Sequence, residues 1–563
     1  MARVYCAFAA VWSLGANLHE ASRDKFEAFL RRPLQAFCPE TPDANLYSVC
    51  VNDEEANFVP VTSVVPEFAF EESVPFFNIL VPTSETTMQR LIVENLMHGG
   101  FHVLFSGETG VGKSVGIQQF LNTAGEAFSV ASANFSAQTS SANVVDFLEN
   151  RLERKRKNLL GAPPGTRMLL FVDDLNMPML EKYGAQPPIE LLRQVLDYRG
   201  FYDRKKLFWK AVADTQFISA CGPPGGGRME VTPRMVRHFN MVWMTALPED
   251  TMNRILDSVL CGWLRLKRPE LEDLSKPIVA ATTDMFFRIT TDLLPTPVKS
   301  HYTFNLRDPA KMLQGMLMVQ VKTDLRDRDG LLRLWLHEAC RQFRDRLVCA
   351  EDRAWFNERL VEKMEEHLQV KWSVDMFDGL VYGDFFDRAE KVYVASPGPE
   401  KLLETFNDYL EEFNATNPSK MNLVFFTDAQ RHLARIARII RQPRGNALLV
   451  GVSGVGRKSM ARMAAHMASF TCSSIEITRL YGTSEFREDI KSMMMRIVKD
   501  EGKALVFLFS DTQIVKESFL EDINNVLNTG EVPNLFAADE TEQIIGFTRP
   551  LAKAAGKVEA RDA

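Results

Sequence analysis

Apolar and polar positions along the chain fall into one arrangement that occurs twice. In the first copy, the apolar run FHVLF (101–105) enters a Gly-rich turn and then a helical pattern beginning near Lys113. A second apolar run, MLLFVDD (168–174), follows. In the second copy, ALLV (447–450) enters the turn GVSGVG, a helical pattern runs through MARMAAHMA, and ALVFLFSD (504–511) follows. Short unbroken apolar runs predict strands buried on both faces. A strand–turn–helix unit with a returning parallel strand predicts an α/β sheet covered by helices on both sides. The chain therefore carries an internal repeat.

Between the copies, 251–440 reads mostly as helix. LLRLWLHEACRQFRDRLV and WFNERLVEKMEEHL keep apolar residues at i, i+3 and i+4, which predicts a helical lid and a connection. Gly-Pro punctuation in ASPGPEK (395–401) marks a boundary. The expected division is 1–70 as a helical connecting segment, 71–250 as an α/β subdomain, 251–400 as lid and connection, and 401–563 as a second, degenerate α/β subdomain. The second copy ends too soon after its second strand to complete a module, so a truncated chain is expected. Near the start, VYCAFAAVWSLGA has the polarity of an export signal. It runs directly into ANLHEASRDKFEAFLRR, where apolar and charged residues keep a helical period, and this favours a buried helix.

Composition changes this picture little. A length of 563 residues leaves room for roughly three or four domains. A charge of −7 argues against non-specific attraction to nucleic acid or an anionic membrane. No run reaches the ~20 apolar residues needed to cross a bilayer. The cysteines at 6, 38, 50, 221, 261, 340, 349 and 472 form no CxxC pair, which predicts reduced thiols in the cytosol and no zinc site.

The chemistry concentrates in the first turn. Gly107-Glu108-Thr109-Gly110-Val111-Gly112-Lys113-Ser114 satisfies the P-loop pattern GxxxxGK[ST] at every fixed position. Glycines let backbone N–H groups converge on phosphates, and the following helix offers its positive end. Lys113 can reach the β- and γ-phosphates of ATP or ADP, while the Ser114 hydroxyl coordinates Mg²⁺. A merely structural Gly-rich turn is the competing account. The strand before it and the helix after it supply the context that supports nucleotide binding. Asp173, ending LLFVD, is the expected second Mg²⁺ group, holding the metal mainly through water. Asp174 stands where a longer Glu would orient the attacking water, which predicts secure binding and slow turnover.

The second turn is degraded. It keeps Gly451, Gly454 and Gly456, but Arg457 occupies the lysine position and Lys458 the hydroxyl position, with Ser459 one place late. Arg supplies charge on a bulkier planar head. Asp511 on the second strand is followed by Thr512 and Gln513 rather than a carboxylate. This predicts a site that holds nucleotide but hydrolyses poorly, or a vestigial one.

Longer segments then carry a resemblance. FVDDLNMPMLEKYGAQPPIELLRQ (171–194), ACGPPGGGRMEVTPRMVRHF (220–239) and HYTFNLRD (301–308) resemble the third AAA+ module of an axonemal dynein heavy chain. NALLVGVSGVGRKSMARMAAHM (446–467) and FLFSDTQIVKESFLEDINNVLNTGEVPNLF (507–536) resemble the fourth, including its Arg for Lys. The resemblance implies tandem AAA+ P-loop NTPase modules with a helical lid, residues 1–70 then being the end of a preceding module's lid. It also implies a role in microtubule-based movement in the ciliary or flagellar axoneme. The implied partners are the remaining heavy-chain modules, intermediate and light chains, and microtubules reached through a stalk. It further implies that Arg307 is a sensor-II arginine and that Arg234 and Arg237 are candidate arginine fingers for a neighbouring module. Surface salt bridges are the competing account for those two. Thr245 becomes a sensor-I candidate, and Val81 and Pro82 would cover the adenine. GPPGGG (222–227), lacking a following Lys, reads better as a flexible loop than as a phosphate site. No main hydrolytic module, linker, coiled-coil stalk or microtubule-binding tip is present in the sequence, and no heptad run is sustained.

Overall fold

The computed structural model describes residues 2–52, 54–108, 112–125, 127–225, 227–245, 247–500, 502–528, 530–532 and 535–554. The chain forms two compact units, Met1–Trp263 with Asn305–Arg307, and Leu264–Phe304 with Asp308–Ala563.

The first unit begins with helices α1 (Ala2–Gly15) and α2 (Glu20–Phe37). The stretch with export-signal polarity lies in α1, where Val4, Ala7 and Val11 recur at helical spacing and are buried with Leu34 of α2. Helices α3 (Ser84–His98), α4 (Lys113–Asn122), α5 (Ser141–Arg151) and α6 (Pro187–Tyr198) surround a five-stranded sheet. Its strands are β1 (His102–Gly107), β2 (Phe128–Asn134), β3 (Arg167–Asp173), β4 (Thr215–Cys221) and β5 (Phe239–Met244). The order is β5-β1-β4-β3-β2 and every pairing is parallel.

Alternate residues of each strand feed two different cores, which is why the sequence reads as unbroken apolar runs. Leu170, Val172 and Phe217 face one core with Val145 and Leu148 of α5 and Ile189 and Leu192 of α6. Val103, Phe105, Leu169, Phe171 and Ile218 face the other, with Val93 and Met97 of α3 and Ile117 and Leu121 of α4. Burying a side chain of this size contributes roughly 1.5–3 kcal/mol, so both layers are needed to hold the central strands.

The second unit is mainly helical: α7 (Ser275–Asp292), α8 (Arg328–Gln342), α9 (Ala350–Leu368), α10 (Pro399–Thr416), α11 (Thr427–Arg441), α12 (Arg457–Met467), α13 (Thr483–Lys499) and α14 (Ser518–Asn528). The pattern gives α8 a single apolar stripe, yet Leu331, Leu332, Leu334, Trp335, Leu336, His337, Glu338, Ala339 and Cys340 are all buried. Two polar residues of that run find partners. Arg438 of α11 pairs with Glu338 through both nitrogens it presents, its Nε lying 3.2 Å from Oε1. The Tyr393 hydroxyl donates to the same Oε1 at 2.8 Å, and His337 Nδ1 lies 3.0 Å from the Leu380 carbonyl.

The second copy departs from expectation. Among the described residues only β6 (Thr471–Ser473) and β7 (Leu505–Phe507) pair, in parallel. ALLV (447–450) is not in a strand, and Leu448 and Val450 are 89% and 85% exposed. The first copy supplies the reason. There β1 bonds to β4 and β5, and both follow β3 in sequence. After β7 the described residues form helices and turns with no further strand, so an equivalent of β1 has no neighbour to bond.

Hydrogen exchange tests this difference. The amides of Leu448 and Val450 should exchange near the free-peptide rate, while those of Leu104, Leu170 and Ile218 open only with global unfolding. Slow exchange at 448 and 450 would show that this segment pairs after all.

Candidate functional site

All five parallel strands of the first unit point their carboxyl ends the same way, the end at which open α/β sheets bind ligands. β4 runs between β1 and β3, with Ser219 paired to both Leu104 and Val172. The ends of β1, β4 and β3 thereby bring Gly107, Cys221 and Asp173 side by side.

A Cβ on Gly107 would lie 2.6 Å from the Met244 carbonyl of β5, so no larger residue fits where the turn leaves the sheet. Gly112, the last residue before α4, has φ +86°, a left-handed value suited to glycine. Thr109, Gly110 and Val111 lie outside the described residues. The Lys113 ammonium curls back over the turn, donating to the Gly107 carbonyl at 2.7 Å and the Glu108 carbonyl at 2.6 Å. Burial pushes the Lys113 pKa below its ordinary value, while Asp173 and Asp174 act in the opposite direction.

Asp173 ends β3, and its carboxylate accepts a hydrogen bond from the Ser114 side chain. Burial pushes the Asp173 pKa up and the nearby Asp174 charge adds to this, while the Ser114 bond and Lys113 oppose it. The Ser114 hydroxyl and the Asp173 carboxylate assigned to Mg²⁺ are therefore close together, in a place where burial outweighs the compensating charge of Lys113. That donor set fits a metal-bound triphosphate: a lysine held by carbonyls that phosphate oxygens can replace, a glycine cradle, and a hydroxyl–carboxylate pair.

Asp174 has φ +50°, and its amide donates to Asp173 Oδ1 at 2.9 Å. Its carboxylate lies 3.5 Å from Nη2 of Arg228. The loop read as flexible is braced at its ends. Buried Asn176 donates through Nδ2 to the Gly222 carbonyl at 2.8 Å and the Met229 carbonyl at 3.1 Å, and the Met229 amide donates to the Asn176 carbonyl at 2.9 Å. Gly225 and Arg228 exchange backbone hydrogen bonds at 3.0 Å, and Gly226 lies outside the described residues. Arg228 and Asn176 escaped the sequence reading. Their only signals are an Arg directly after GPPGGG and an Asn two places after Asp174.

Other expected positions separate. Thr245 follows β5, on the far side of β1 from the acidic strand. The strand tip lying between Gly107 and Asp173 is Cys221, not Thr245. The buried Cys221 thiol, its pKa pushed up by burial, is hydrogen-bonded to Ser106 and feels the charges of Lys113, Asp174 and Arg228. Arg307 is exposed at the start of the helix Arg307–Leu317, its amide donating to Asn305 Oδ1 at 2.9 Å. The segment Asn305–Arg307 clusters with the unit that holds the P-loop. Arg237 bonds Asp197 at 2.7 Å, and Arg193 and His238 approach the same carboxylate at 2.6 Å and 3.0 Å. Arg234 is exposed on the same turn, with no ion pair among the described residues. Val81 is buried and Pro82 partly so, just ahead of Thr83, which caps α3.

In the second unit, Gly454 and Gly456 have φ +85° and +82°, and Arg457, Lys458 and Ser459 form the first turn of α12. Gly451 is exposed. Asp511 is not delivered by a strand, since β7 ends at Phe507 and Asp511 begins a single 3₁₀ turn. Its carboxylate accepts the Thr512 amide at 3.0 Å, and no hydrogen bond or ion pair joins it to Arg457, Lys458 or Ser459 among the described residues. The acidic strand end of a working site is thus not assembled here.

Known proteins match in the same order as the fold. Residues 68–247 match the family model of the P-loop containing dynein motor region, and 421–563 that of the P-loop containing dynein motor region D4. Residues 278–380 match an AAA+ lid domain, and 1–63 a dynein heavy chain AAA lid domain. Human dynein axonemal heavy chain 6 is 45% identical over 563 residues, aligning 98% of this chain with 13% of that protein. Mouse dynein axonemal heavy chain 1 is 41% identical over 578 residues, covering 96% of this chain and 14% of that one. The Chlamydomonas reinhardtii dynein-1-beta heavy chain of the flagellar inner arm I1 complex is 38% identical over 583 residues, covering 100% and 13%. The chain therefore spans only 13–14% of the length of these relatives. With two P-loop motor regions and two lids in sequence, and identities of this size along nearly its whole length, the chain belongs to the dynein heavy-chain family, of the axonemal type.

Proposed function

We propose that the first unit binds MgATP and hydrolyses it slowly, as one module of a dynein motor ring acting in the axoneme of a cilium or flagellum. The observation that carries this reading is the juxtaposition of Lys113, Ser114 and Asp173 at the carboxyl ends of β1 and β3. Lys113 leaves the Gly107 and Glu108 carbonyls for phosphate oxygens, and the start of α4 adds the positive end of its dipole. Ser114 and Asp173 hold the metal, which supplies charge neutralisation at the phosphates. Asp174 orients water, and Arg307 and Arg234 are the arginines available to the terminal phosphate here and in a neighbouring module. Arg237, engaged with Asp197, is the weaker finger candidate.

The second site, lacking an acidic strand end, serves regulation or structure. Remaining heavy-chain modules, intermediate and light chains and microtubules are the partners this reading requires. Nucleotide occupancy at the first site biases the conformation of the ring, since closure on nucleotide couples modules without rapid turnover. A non-hydrolysing scaffold is the alternative, favoured by the short Asp174 side chain and its pairing with Arg228.

Titration calorimetry tests the binding claim. Lys113→Ala should weaken MgATP binding by about 2.7 kcal/mol, ~100-fold, through loss of a charge-assisted contact. A folded wild-type protein with no affinity for MgATP would end this reading. Asp174→Glu should raise turnover by roughly tenfold by extending the carboxylate towards the water. If neither form turns over with neighbouring modules restored, the scaffold reading stands.

A third measurement uses pH. Because the folded-state pKa of Asp173 is raised, the native state disfavours its ionised form, and that cost appears as pH rises above the unfolded value of about 3.9. Without nucleotide, Asp173→Asn should melt above wild type at pH 7, with the gap closing as pH falls towards 4. A variant melting below wild type at neutral pH would contradict the assignment.

A further inference from the structure

Two hairpins of the first unit lie outside the five-stranded sheet. One pairs Glu153–Arg156 with Leu159–Gly161, the other Gly200–Tyr202 with Trp209–Ala213. They join into a second sheet through Leu159–Gly161 and Trp209–Ala213, which run parallel with Leu159 opposite Ala211. Each of these two strands is entered from its own hairpin turn, so parallel pairing brings both turns to the same end of the sheet. Their centres are two strand spacings apart, roughly 10 Å.

That end concentrates positive charge on a chain whose net charge is −7. Arg154, Arg156 and Lys157 of the first hairpin and Arg204, Lys205 and Lys206 of the second are all exposed, with no ion pair among the described residues. The acids beside them are taken: Asp214 pairs with Lys155 at 2.6 Å, and Asp203 and Glu149 pair with Lys210 at 2.6 Å and 2.7 Å. Like charges separated by little more than a Debye length of ~8 Å repel, and an anion laid across both turns would remove that cost. The second turn is also rigidly built. Asp203 Oδ1 accepts the Lys205 and Lys206 amides at 2.9 Å and 2.6 Å, and its carbonyl accepts the Leu207 amide at 3.0 Å. The hydrogen bond from Lys210 and those from the two amides hold the Asp203 carboxyl down at about 2. Basic residues on a backbone fixed in advance lose less entropy when a partner binds. In the same turn Leu207 is 76% exposed and has φ +55°, a conformation that glycine would adopt without strain.

We propose that the two joined hairpin turns are a docking surface for an acidic polypeptide segment, whose carboxylates meet these six cations while an apolar residue meets Leu207. An extended segment crosses from one turn to the other in about three residues. A polypeptide suits the surface better than nucleic acid or an anionic membrane. The basic area is only two turns wide, and a larger polyanion would reach past it onto a chain of net negative charge. The arginines can grip carboxylates with paired donors, and the lysines add charge that steers the approach.

Fluorescence anisotropy on the 563-residue chain tests this, using a fluorescein-labelled oligoglutamate peptide made with and without one central phenylalanine. The wild-type chain should bind both peptides, the phenylalanine form more tightly, and lose affinity roughly tenfold between low and physiological salt. Combining Lys157→Glu, Lys205→Glu and Lys206→Glu should weaken both peptides at least about tenfold and leave the melting temperature near wild type, since these side chains are exposed. Leu207→Gly should abolish the advantage of the phenylalanine peptide while the plain peptide binds as before. That arm stays informative even if the charge-reversed chain folds poorly. Unchanged peptide binding after charge reversal would overturn the proposal, as would Leu207→Gly without effect. A single-stranded oligonucleotide or phosphatidylserine vesicles binding the wild-type chain more tightly than either peptide at the same salt would overturn it too.

Discussion

Parallel pairing of β4 with both β1 and β3 fixes the distance between the P-loop and the acidic strand end, and most of the first unit serves to hold that pairing. The three strands are central, buried on both faces, and their side chains alternate between two cores, so none can slip by one residue without exchanging every core contact. The close approach of β5 to the first residue of the turn, which only glycine permits, continues the same constraint into the loop. Asp173 is held in the sheet directly, its carbonyl accepting the Phe135 amide at 3.0 Å.

That rigidity carries a cost in the absence of nucleotide. Burial disfavours the charged forms of both Lys113 and Asp173, and Asp174 stands in a left-handed backbone conformation uncommon outside glycine, though aspartate adopts it more readily than most residues. Groups held in this way are stabilised when a ligand brings the complementary charges, and binding energy then offsets what folding left unfavourable. The same logic applies to the Nε of Arg228, buried with no hydrogen-bond partner among the described residues.

Much of this was legible in the sequence where the signal is local. The P-loop spacing, the strand ending at Asp173, the helix from Lys113 and the helices of the second unit each depend on residues adjacent in the chain. What was not legible depends on distant segments. ALLV has strand composition, but a strand needs neighbours, and in the first unit those neighbours come later in sequence. Thr245 enters as a sensor candidate through the resemblance; only the strand order reveals that Cys221, not Thr245, lies between the P-loop and Asp173. Arg234 and Arg237 look equivalent until Asp197, on a helix forty residues earlier, engages one of them. In α8, burial on every side overrode the single stripe, and no pattern within the helix announced that Glu338 would meet an arginine a hundred residues away.

That last pair has a mechanical consequence. Glu338 and Arg438 tie α8 to α11 inside the second unit, with Tyr393 donating to the same carboxylate. Removing one member of such a buried pair strands the other as a bare charge, at a cost of about 3–5 kcal/mol. Sliding the two helices apart would meet a similar penalty, so α8 and α11 behave as a single riveted part.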